Sequence, residues 1–364
     1  MLKRFDRLRS RVAAAFVVML IAPFAAGPGR AAALSTELSV TGAVTTPRTY
    51  DLAGLSALPP ITQTVTYLSG STPQTRTYTG ASLWGVLGSS GIVVDPAVKN
   101  DILNKVVVAT GTDGYRVVFA AGELSPDFGN RPDLVAYADA AYGDSLGPDG
   151  FARITSPGDV KGGRYVSNLV NLDVRASGST QTGSGGGVST QFTVSGAVTQ
   201  AKRFDLSALQ ALPTLTSSVG GISYTGVSFW SLLTATVGIP LDPTVKNDLL
   251  GKYVVATGSD GYQAVFSLGE LSPDFGNQPD LIAYAADGAG LGSNGFARII
   301  VPNDVKKGRW VSNLVSLEVF STSPVPEPPT AAAMLLGLAV TAAWRGRRLV
   351  QRQTAGPMPA LPTR

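Results

Sequence analysis

The stretch DGYRVVFAAGELSPDFGNRPDLVA at residues 113–136 recurs as DGYQAVFSLGELSPDFGNQPDLIA at residues 260–283, with its acids, glycines and prolines in register. The repetition extends well beyond this string, because VTGAVTTPRTYDLAGLSALP at 40–59 returns as VSGAVTQAKRFDLSALQALP at 194–213. A unit that repeats at a nearly constant offset along a chain is typical of duplicated structure. The sequence therefore predicts two homologous domains.

The predicted domains are residues 34–175 and 191–320, and residues 176–190 join them. The joining sequence, ASGSTQTGSGGGVST, has the Gly/Ser composition of a flexible coil, so we expect each domain to fold independently of the other. A glycine-rich run can also cradle phosphate, but this one precedes no helical pattern and has no Lys-Ser/Thr ending. A linker is the predicted role.

Both ends of the chain have the pattern of targeting segments. Residues 1–33 combine a basic start, an apolar run and small residues, which predicts a secretory signal peptide. Within the C-terminal segment, residues 321–364, the apolar stretch 330–344 would rise only about 22 Å as a helix, less than the ~30 Å of a hydrocarbon core. We therefore expect a transient or permanent membrane association through it. The segment also carries a proline motif and an arginine cluster: Val325, Pro326, Glu327, Pro328, Arg345, Arg347 and Arg348.

The net charge of +4 belongs to these ends and not to the body of the protein. Six of the 29 basic residues precede Leu34 and five follow Ser323, whereas only two of the 25 acidic residues lie in those ends. The central part therefore has a net charge near −5, which argues against a nucleic-acid partner.

The chain contains no cysteine and no histidine. No disulfide can hold it together, so each domain must rely on its hydrophobic core. The same absence removes thiolate nucleophiles, cysteine-based metal sites and the side chain best suited to proton transfer near neutral pH. Few enzyme mechanisms remain open to such a sequence.

Strand and helix patterns are interspersed within each predicted domain. KYVVATGSDGYQAVFS at 252–267 predicts a β-hairpin, and FDLSALQAL at 204–212 has leucines at helical spacing behind a capping Asp205. A second short helix is predicted over VSFWSLLTATVG, ended by Gly238, and a third begins at Asp242. Because β-α-β alternation is absent, we predict an α+β class with two homologous mixed α/β domains, β-rich with short covering helices.

Each repeat contains, in order, the motifs DL..L..LP, YTG.S.W..L, DGY...F...EL, G.ARI..P.DV and GR.VSNLV.L.V. This series is similar to the molybdopterin-binding domain of sulfite-oxidase-type oxidoreductases, in its small stand-alone bacterial form. The resemblance covers Leu38 to Val174 and Phe192 to Val319. It implies that family's fold for both repeats, and a molybdopterin cofactor for members that keep the metal ligand.

The resemblance fails at the metal ligand. In that family a cysteine thiolate on a strand before the YTG element holds the metal, but the corresponding stretches here, ITQTVTYLSG at 61–70 and LTSSVGG at 215–221, contain none. A hydroxyl is a poor substitute for a soft thiolate. We therefore expect no molybdenum and no other cofactor. The alternative is an oxidoreductase that binds molybdopterin without a protein thiolate.

Six residues match family elements near the cofactor pocket, and the resemblance implies that they could hold an anionic ligand through an arginine fork. The alternative is structural, with aspartate forming the hairpin turn, tyrosine packing beside it and arginine pairing with a nearby acid. The six are Asp113, Tyr115 and Arg153 in the first repeat and Asp260, Tyr262 and Arg298 in the second.

The remaining candidates have ordinary structural interpretations. The acids of the repeated string could offer oxygen ligands to calcium, but their spacing differs from a calcium loop and suits turns and helix starts. The tryptophans stand singly in amphipathic elements, which predicts core packing. These residues are Asp127, Asp133, Asp274 and Asp280, and Trp84, Trp230 and Trp310.

The C-terminal segment is similar to a PEP-CTERM sorting signal. That resemblance implies processing by an exosortase-type enzyme and a place in the cell envelope, at the surface or in the extracellular matrix of a Gram-negative bacterium. It also implies envelope or exopolysaccharide components as partners. A plain single-span anchor is the alternative, with the arginines in the cytoplasm. Either interpretation has the two domains exported across the inner membrane.

The sequence as a whole predicts an exported, surface-sorted protein whose degenerate molybdopterin-binding-type domains act as a non-catalytic binding or scaffold module. A structural protein of the exopolysaccharide matrix differs from this only in its partner. The oxidoreductase that lacks a thiolate ligand remains the alternative function.

Overall fold

The structure, a computed structural model, describes residues 34–322 of the chain. Both repeats belong to one compact unit. Within residues 34–322, no helix is both long and apolar enough to cross a membrane. The predicted signal peptide at 1–33 lies outside the described residues, and so do the predicted sorting residues Val325, Pro326, Glu327, Pro328, Arg345, Arg347 and Arg348.

The first repeat consists of strands β1 to β9, helices α1 to α3 and four short 3₁₀ turns. The strands are β1 Leu38–Gly42, β2 Arg48–Tyr50, β3 Pro60–Ser69, β4 Thr72–Ser82, β5 Lys105–Gly111, β6 Arg116–Ala120, β7 Leu134–Asp139, β8 Arg153–Thr155 and β9 Leu169–Ala176. The helices are α1 Leu52–Ser56, α2 Leu83–Ser90 and α3 Ala121–Leu124, and the 3₁₀ turns are Asp101–Asn104, Ala140–Tyr142, Gly147–Asp149 and Gly162–Arg164.

The second repeat follows the same order, with one additional short strand. Its strands are β10 Gln191–Gly196, β11 Lys202–Asp205, β12 Thr214–Val219, β13 Ile222–Ser228, β14 Lys252–Gly258, β15 Gln263–Ser267, β16 Leu281–Ala286, β17 Ala289–Gly290, β18 Arg298–Ile300 and β19 Leu314–Ser321. Its helices are α4 Leu206–Gln210, α5 Phe229–Ser231, which continues as a π-helix over Leu232–Val237, and α6 Leu268–Leu271; the 3₁₀ turns are Asp248–Gly251, Gly292–Asn294 and Lys307–Arg309.

Each repeat has two sheets: a five-stranded sheet with one parallel pair, called the larger sheet, and a second sheet, called the smaller sheet after its four strands in the first repeat, which has five strands in the second. The larger sheets have the orders β2-β1-β9-β5-β6 and β11-β10-β19-β14-β15, and only the β1–β9 and β10–β19 pairs are parallel. The smaller sheets run β3-β4-β7-β8 in the first repeat and β12-β13-β16 in the second, where β17 and β18 both pair with β16. The predicted β-rich α+β class with short covering helices is confirmed.

A hydrophobic core lies between the two sheets of each repeat. The tryptophans contribute as predicted, because Trp84 and Trp230 pack on the cores of their repeats while partly buried. Trp310 is buried, with 5% of its surface exposed, and meets Tyr224 edge to face, with 5.6 Å between ring centroids. One side of Trp310 also lines a cleft described below.

The local predictions hold where a side chain satisfies the backbone. Asp51 and Asp205 cap α1 and α4. The Asp51 carboxylate accepts a hydrogen bond from the Gly54 amide at 2.7 Å, and the Asp205 carboxylate accepts one from the Ala208 amide at 2.8 Å. The DGY segments form the predicted hairpins β5–β6 and β14–β15. Gly114 and Gly261 have φ angles of +80° and +85° there, which favour glycine.

The helix predicted at Asp242 does not form. Asp242 instead accepts hydrogen bonds from the backbone amide and the hydroxyl of Thr244, at 2.8 and 2.6 Å, which closes a turn. Asn247 then adopts a left-handed conformation with φ of 52°, and only the 3₁₀ turn Asp248–Gly251 follows. The short-range turn bonds replace those that a helix would need.

The Gly/Ser segment 176–190 is ordered against the second repeat, contrary to the flexible coil that its composition predicts. The amides of Ser184 and Gly186 both donate to the carbonyl of Ser259 at 2.8 Å, and the Ser259 hydroxyl donates to the Gly187 carbonyl at 2.6 Å. The segment is bound to the β14–β15 turn because the carbonyl and the hydroxyl of Ser259 in that turn form hydrogen bonds with it.

The two repeats share their hydrophobic cores. Leu250 and Phe275 of the second repeat are buried in the core of the first, and Leu103 and Phe128 of the first are buried in the core of the second. A separated repeat would expose these side chains, so the contacts argue against independent folding.

The larger sheets also pack on each other between the repeats. We call this contact between the larger sheets the joint. Residues of β5 point alternately to the core of their own repeat and to the joint, so both faces of the strand are buried and its sequence is a nearly continuous apolar run. The cluster at the joint consists of Val106, Val108, Val118, Ala120, Tyr253, Val255 and Val265.

Candidate functional site

Two clefts lie at the joint between the repeats. The first cleft has a volume of about 530 Å³ and the second cleft a volume of about 770 Å³. The structure brings the sequence-predicted site residues of each repeat together in one of them. Asp113, Tyr115 and Arg153 line the first cleft, and Asp260, Tyr262 and Arg298 line the second.

The tyrosines of the clefts tie the repeats together. Tyr115 Oη donates to the Gly163 carbonyl at 2.7 Å and accepts from Asn247 Nδ2 of the other repeat at 2.8 Å. Tyr262 makes the equivalent pair of bonds, accepting from Asn100 Nδ2 at 2.8 Å. Burial raises the pKa of both hydroxyls, so they stay protonated. Their structural role is that of a bridge.

The aspartates of the clefts belong to the hairpin turns. Asp113 Oδ1 accepts from the Tyr115 amide at 2.9 Å, and Asp260 Oδ1 accepts from the Tyr262 amide at 3.0 Å. Each carboxylate is therefore committed to its own turn, which agrees with the structural alternative for these two residues.

The arginine of the first cleft is neutralised. Arg153 forms an ion pair with Asp149 and lies between two aromatic rings, 5.6 Å from the centroid of Tyr78 and 5.5 Å from that of Tyr165. Burial works to lower the pKa of Arg153, but Tyr78 and Asp149 outweigh it and the pKa is raised. The first cleft holds its own counterion.

The arginine of the second cleft has no such partner. Asn294 stands where the first repeat has Asp149, and its side chain is bonded to Ser312 and to the Leu291 carbonyl, at 3.0 and 3.3 Å. Between residues 34 and 322, no carboxylate forms an ion pair with Arg298; its Nε, like that of Arg153, is buried without a hydrogen-bond partner. Burial lowers the pKa of Arg298, but a guanidinium remains charged.

A second cation reinforces this charge. Lys307 Nζ and the Arg298 guanidinium lie 4.8 and 5.3 Å from the ring centroid of Trp310. The equivalent of Lys307 in the first repeat is Gly162, so the first cleft lacks this cation. Trp310 holds both positive groups at the cleft wall.

The outer walls of the clefts also differ. The tip of the β3–β4 hairpin, residues 67–70, lines the first cleft. The equivalent hairpin β12–β13 is shorter, and Gly187 and Val188 of the joining segment line the second cleft instead. Val188 is 63% exposed, so this wall is open to solvent.

Of the remaining acids of the repeated string, two pair across the joint and two are buried within their own repeats. Asp127 and Asp274 are exposed and pair across the repeats with Lys306 and Lys161, at 2.5 and 2.7 Å. Asp133 is buried, and Asp280 is equally buried. Across the part of the chain that the structure describes, no three acidic side chains group closely enough to hold a metal ion.

Sequence reasoning missed two buried ionic networks at the joint. Arg164 binds Asp159 through two nitrogens, at 2.8 and 2.7 Å, and contacts Glu123 with the third. Arg309 binds Asp304 and Glu270 in the same arrangement. The signal in the sequence is the GR.VSNLV motif, which occurs once in each repeat. In both copies an aspartate lies five residues before the arginine of the motif.

The networks meet where the repeats join. The Ser267 hydroxyl of the second repeat donates to Glu123 of the first at 3.0 Å. Burial raises the pKa of Glu270 to about 7, although the opposite charge of Arg309 works to lower it. Burial likewise raises the pKa of Asp133 to about 7 and that of Asp280 well above its usual range. Proton binding is therefore coupled to this interface.

The residues present do not fit a complete molybdopterin centre. The stretches expected to supply the thiolate lie on β3 and β12, where Thr62, Thr64, Thr216 and Ser218 offer hydroxyls. Arg298 and Lys307 suit an anionic group, but a soft metal would lack its protein ligand.

The fold and the clefts define a duplicated α+β protein in which the DGY and arginine elements of each repeat line a cleft at the joint. No family model matches the chain, and no curated protein matches it. Among solved structures it is similar to the sulfane dehydrogenase SoxCD from Paracoccus pantotrophus. The two are 13% identical with a TM-score of 0.33, over 78% of this chain and 79% of that one.

Proposed function

We propose that the protein is an exported, surface-sorted binding or scaffold module, and that its second cleft holds an anionic ligand without acting on it chemically. The observation that carries this proposal is Arg298, a half-buried cation that faces a cleft of about 770 Å³ and has no carboxylate partner among the described residues.

The energetics favour an anion at this position. A charge removed from water is costly unless it is paired, and the planar guanidinium can donate two parallel hydrogen bonds to a carboxylate, sulfate or phosphate group. Lys307 adds a second positive charge 4.8 Å from the centre of Trp310. An entering anion would supply the counterion that Asp149 supplies in the first repeat.

The chemistry of the cleft supports binding more than catalysis. Proton transfer near neutral pH needs a group with a matched pKa at the site. Asp260 is committed to its turn and Tyr262 to a bridge between the repeats, and the sequence contains no cysteine or histidine.

Export and surface sorting rest on the sequence patterns at residues 1–33 and 321–364. The partners that follow from them are an exosortase-type processing enzyme and envelope or exopolysaccharide components, without nucleic acid. Mass spectrometry of the protein recovered from the envelope of its host should show that the N-terminal segment is removed. The C-terminal segment should be either removed as well or retained as an anchor. An intact N-terminus in a cytoplasmic fraction would contradict this part of the proposal.

The anion site is tested by calorimetry of the full chain with phosphate, sulfate and pyrophosphate at constant ionic strength. We expect binding that weakens about tenfold in Arg298→Gln, which removes one charge-assisted contact. Arg153→Gln is the matched control and should leave the affinity unchanged, with thermal unfolding to establish that both variants fold. Equal affinities in all three proteins, or no binding of any of these anions, would reject the site.

The alternative function has its own test. Protein purified from its native envelope is analysed for molybdenum and for released pterin. We expect neither, because both repeats lack the thiolate; stoichiometric amounts of both would establish the oxidoreductase instead.

A further inference from the structure

A groove of about 450 Å³ lies on the outer face of the smaller sheet of the first repeat. Helix α1 forms one side through Leu52, and the segment after β7 forms the other through Asp144. Its floor comes from β3, β4 and β7. We call it the threonine groove; its floor and walls include Leu52, Thr62, Thr77, Thr79, Tyr137 and Asp144.

Threonine hydroxyls are arranged in cross-strand pairs on this face. Each pair uses one hydrogen internally, which leaves one donor and several lone pairs for an external partner. Successive pairs are two residues apart, so the three pairs extend over about 13 Å along the strands. The pairs are Thr62–Thr79 at 2.8 Å, Thr64–Thr77 at 2.8 Å and Thr66–Thr75 at 3.0 Å.

The groove combines three of these hydroxyls, those of Thr62, Thr77 and Thr79, with exposed apolar surface; the rest of the row continues beyond it. Leu52 is 45% exposed, although it is a large aliphatic residue at the start of a helix. Tyr137 is half-buried and presents the rest of its ring beside Ala138. Asp144 is the one charged residue in the lining. A ligand that fits must be largely uncharged, with an apolar face and an edge of hydroxyl groups.

We propose that the threonine groove binds a neutral oligosaccharide, with a sugar ring against Tyr137 and its hydroxyls on the threonine row. Sugar rings carry C–H groups on their faces and hydroxyls at their edges, which matches this surface. A row of about 13 Å is longer than one ring and therefore suits a chain of sugars. Repulsion by Asp144 disfavours acidic polysaccharides.

A peptide strand fits the floor less well. Strand addition needs free backbone donors and acceptors, but β4 is paired with both β3 and β7 beneath the groove. Side-chain hydroxyls and the Tyr137 ring are what the floor offers to a ligand.

The equivalent face of the second repeat is built differently, although it retains the tyrosine. Tyr284, the equivalent of Tyr137, is bonded to the Thr214 hydroxyl at 3.3 Å. The segment after β16 turns back at once into β17, so the wall that contains Asp144 in the first repeat has no equivalent. Tyr284 is therefore a matched control for Tyr137.

The test uses the full chain and three neutral hexasaccharides, cellohexaose, maltohexaose and xylohexaose, in calorimetric titrations. An alginate hexamer and an uncharged threonine-rich decapeptide are the comparison probes. We expect at least one neutral hexasaccharide to bind, with affinity reduced about fivefold by Tyr137→Ala through the loss of ring contact. Thr77→Val should weaken binding about threefold by removing one hydroxyl, and Tyr284→Ala should have no effect.

Three results would overturn the proposal: no binding of any neutral hexasaccharide at millimolar concentration, tighter binding of alginate or the peptide, or equal weakening by Tyr137→Ala and Tyr284→Ala. The sugar site and the anion site are separable, because Arg298→Gln should leave hexasaccharide binding intact. Failure of one proposal therefore leaves the other standing.

Discussion

The first and second clefts are built from the same repeated sequence, yet among residues 34–322 the guanidinium of the first cleft has a carboxylate partner and that of the second has none. Asp149 neutralises Arg153 in the first cleft, whereas Asn294 leaves Arg298 without a carboxylate in the second. The two repeats share one topology around these residues, although the outer walls of the clefts differ and Gly162 of the first repeat replaces Lys307 of the second. The presence of one carboxylate thus decides whether the cleft arginine is paired within the protein or is available to bind an anionic ligand.

The joint between the repeats shows the opposite behaviour, because both halves keep the same ionic network. Arg164 and Arg309 are each fully enclosed by two acids of their own repeat. The duplication therefore preserved the interface while the clefts diverged.

The largest expected effect comes from separating the halves, since the clefts exist only where the repeats meet. Residues 34–176 and 191–322, produced alone, should fail to unfold cooperatively, because Phe128 and Phe275 lose the cores that bury them. Co-production should restore the transition in calorimetry. A lone half with the melting temperature of the full chain would mean that the repeats are independent, as composition predicts.

The symmetry of the joint predicts equal penalties for its two arginines. Arg309→Met leaves Glu270 and Asp304 as uncompensated buried charges, which should lower the free energy of unfolding by about 3–5 kcal/mol. Arg164→Met should cost the same within about 1 kcal/mol. Denaturant titration measures both, and a large inequality would show that one network dominates the interface.

The buried acids predict that stability falls as pH rises. The pKa of Asp133 is about 7 in the folded protein, so the fold binds an extra proton between about pH 4 and 7, and the free energy of unfolding drops by about 1.4 kcal/mol per pH unit for this group. Asp133→Asn should flatten the dependence below pH 7. Asp280→Asn should flatten the dependence as well, because burial also raises the pKa of Asp280. Denaturation between pH 5 and 9 checks this, and increasing stability over that range would contradict it.

Exchange of one residue should convert each cleft into the other. Asn294→Asp places a carboxylate beside Arg298 and should weaken anion binding about tenfold, or about 1.4 kcal/mol. The reverse change, Asp149→Asn, should create a second binding event in calorimetry with sulfate. If neither variant alters the stoichiometry or the affinity, the carboxylate does not distinguish the clefts.

The smallest expected difference between the two clefts, about 1 kcal/mol, concerns their hairpin turns. Gly114→Ala should cost about 1 kcal/mol, because its positive φ disfavours a side chain but the added carbon meets no atom within 4 Å. At Gly261 the added carbon would lie 2.8 Å from the Thr182 carbonyl, so Gly261→Ala should cost about 2 kcal/mol. Equal melting temperatures would mean that the joining segment is not held against this turn.

Much of the fold follows from the sequence, but the site follows only in part. The DGY hairpins, the Asp51 and Asp205 caps and the β-rich class are local properties, which turn chemistry and periodicity predict. Only the family resemblance indicated that Asp260, Tyr262 and Arg298 would lie in one cleft. Asn294 could have been found by aligning the repeats at Asp149, since the substitution is visible in the sequence.

The sequence by itself determined the duplication, the strand-rich class and the absence of thiol and imidazole chemistry, because these depend on residue identity and local order. The tertiary structure decided that the repeated string builds the joint, with Glu123 and Phe128 reaching the other repeat. It also decided that Arg298 faces the second cleft without a carboxylate partner among the residues that the structure describes. Such partners are distant along the chain, and only the packing of the two sheets determines which charges meet.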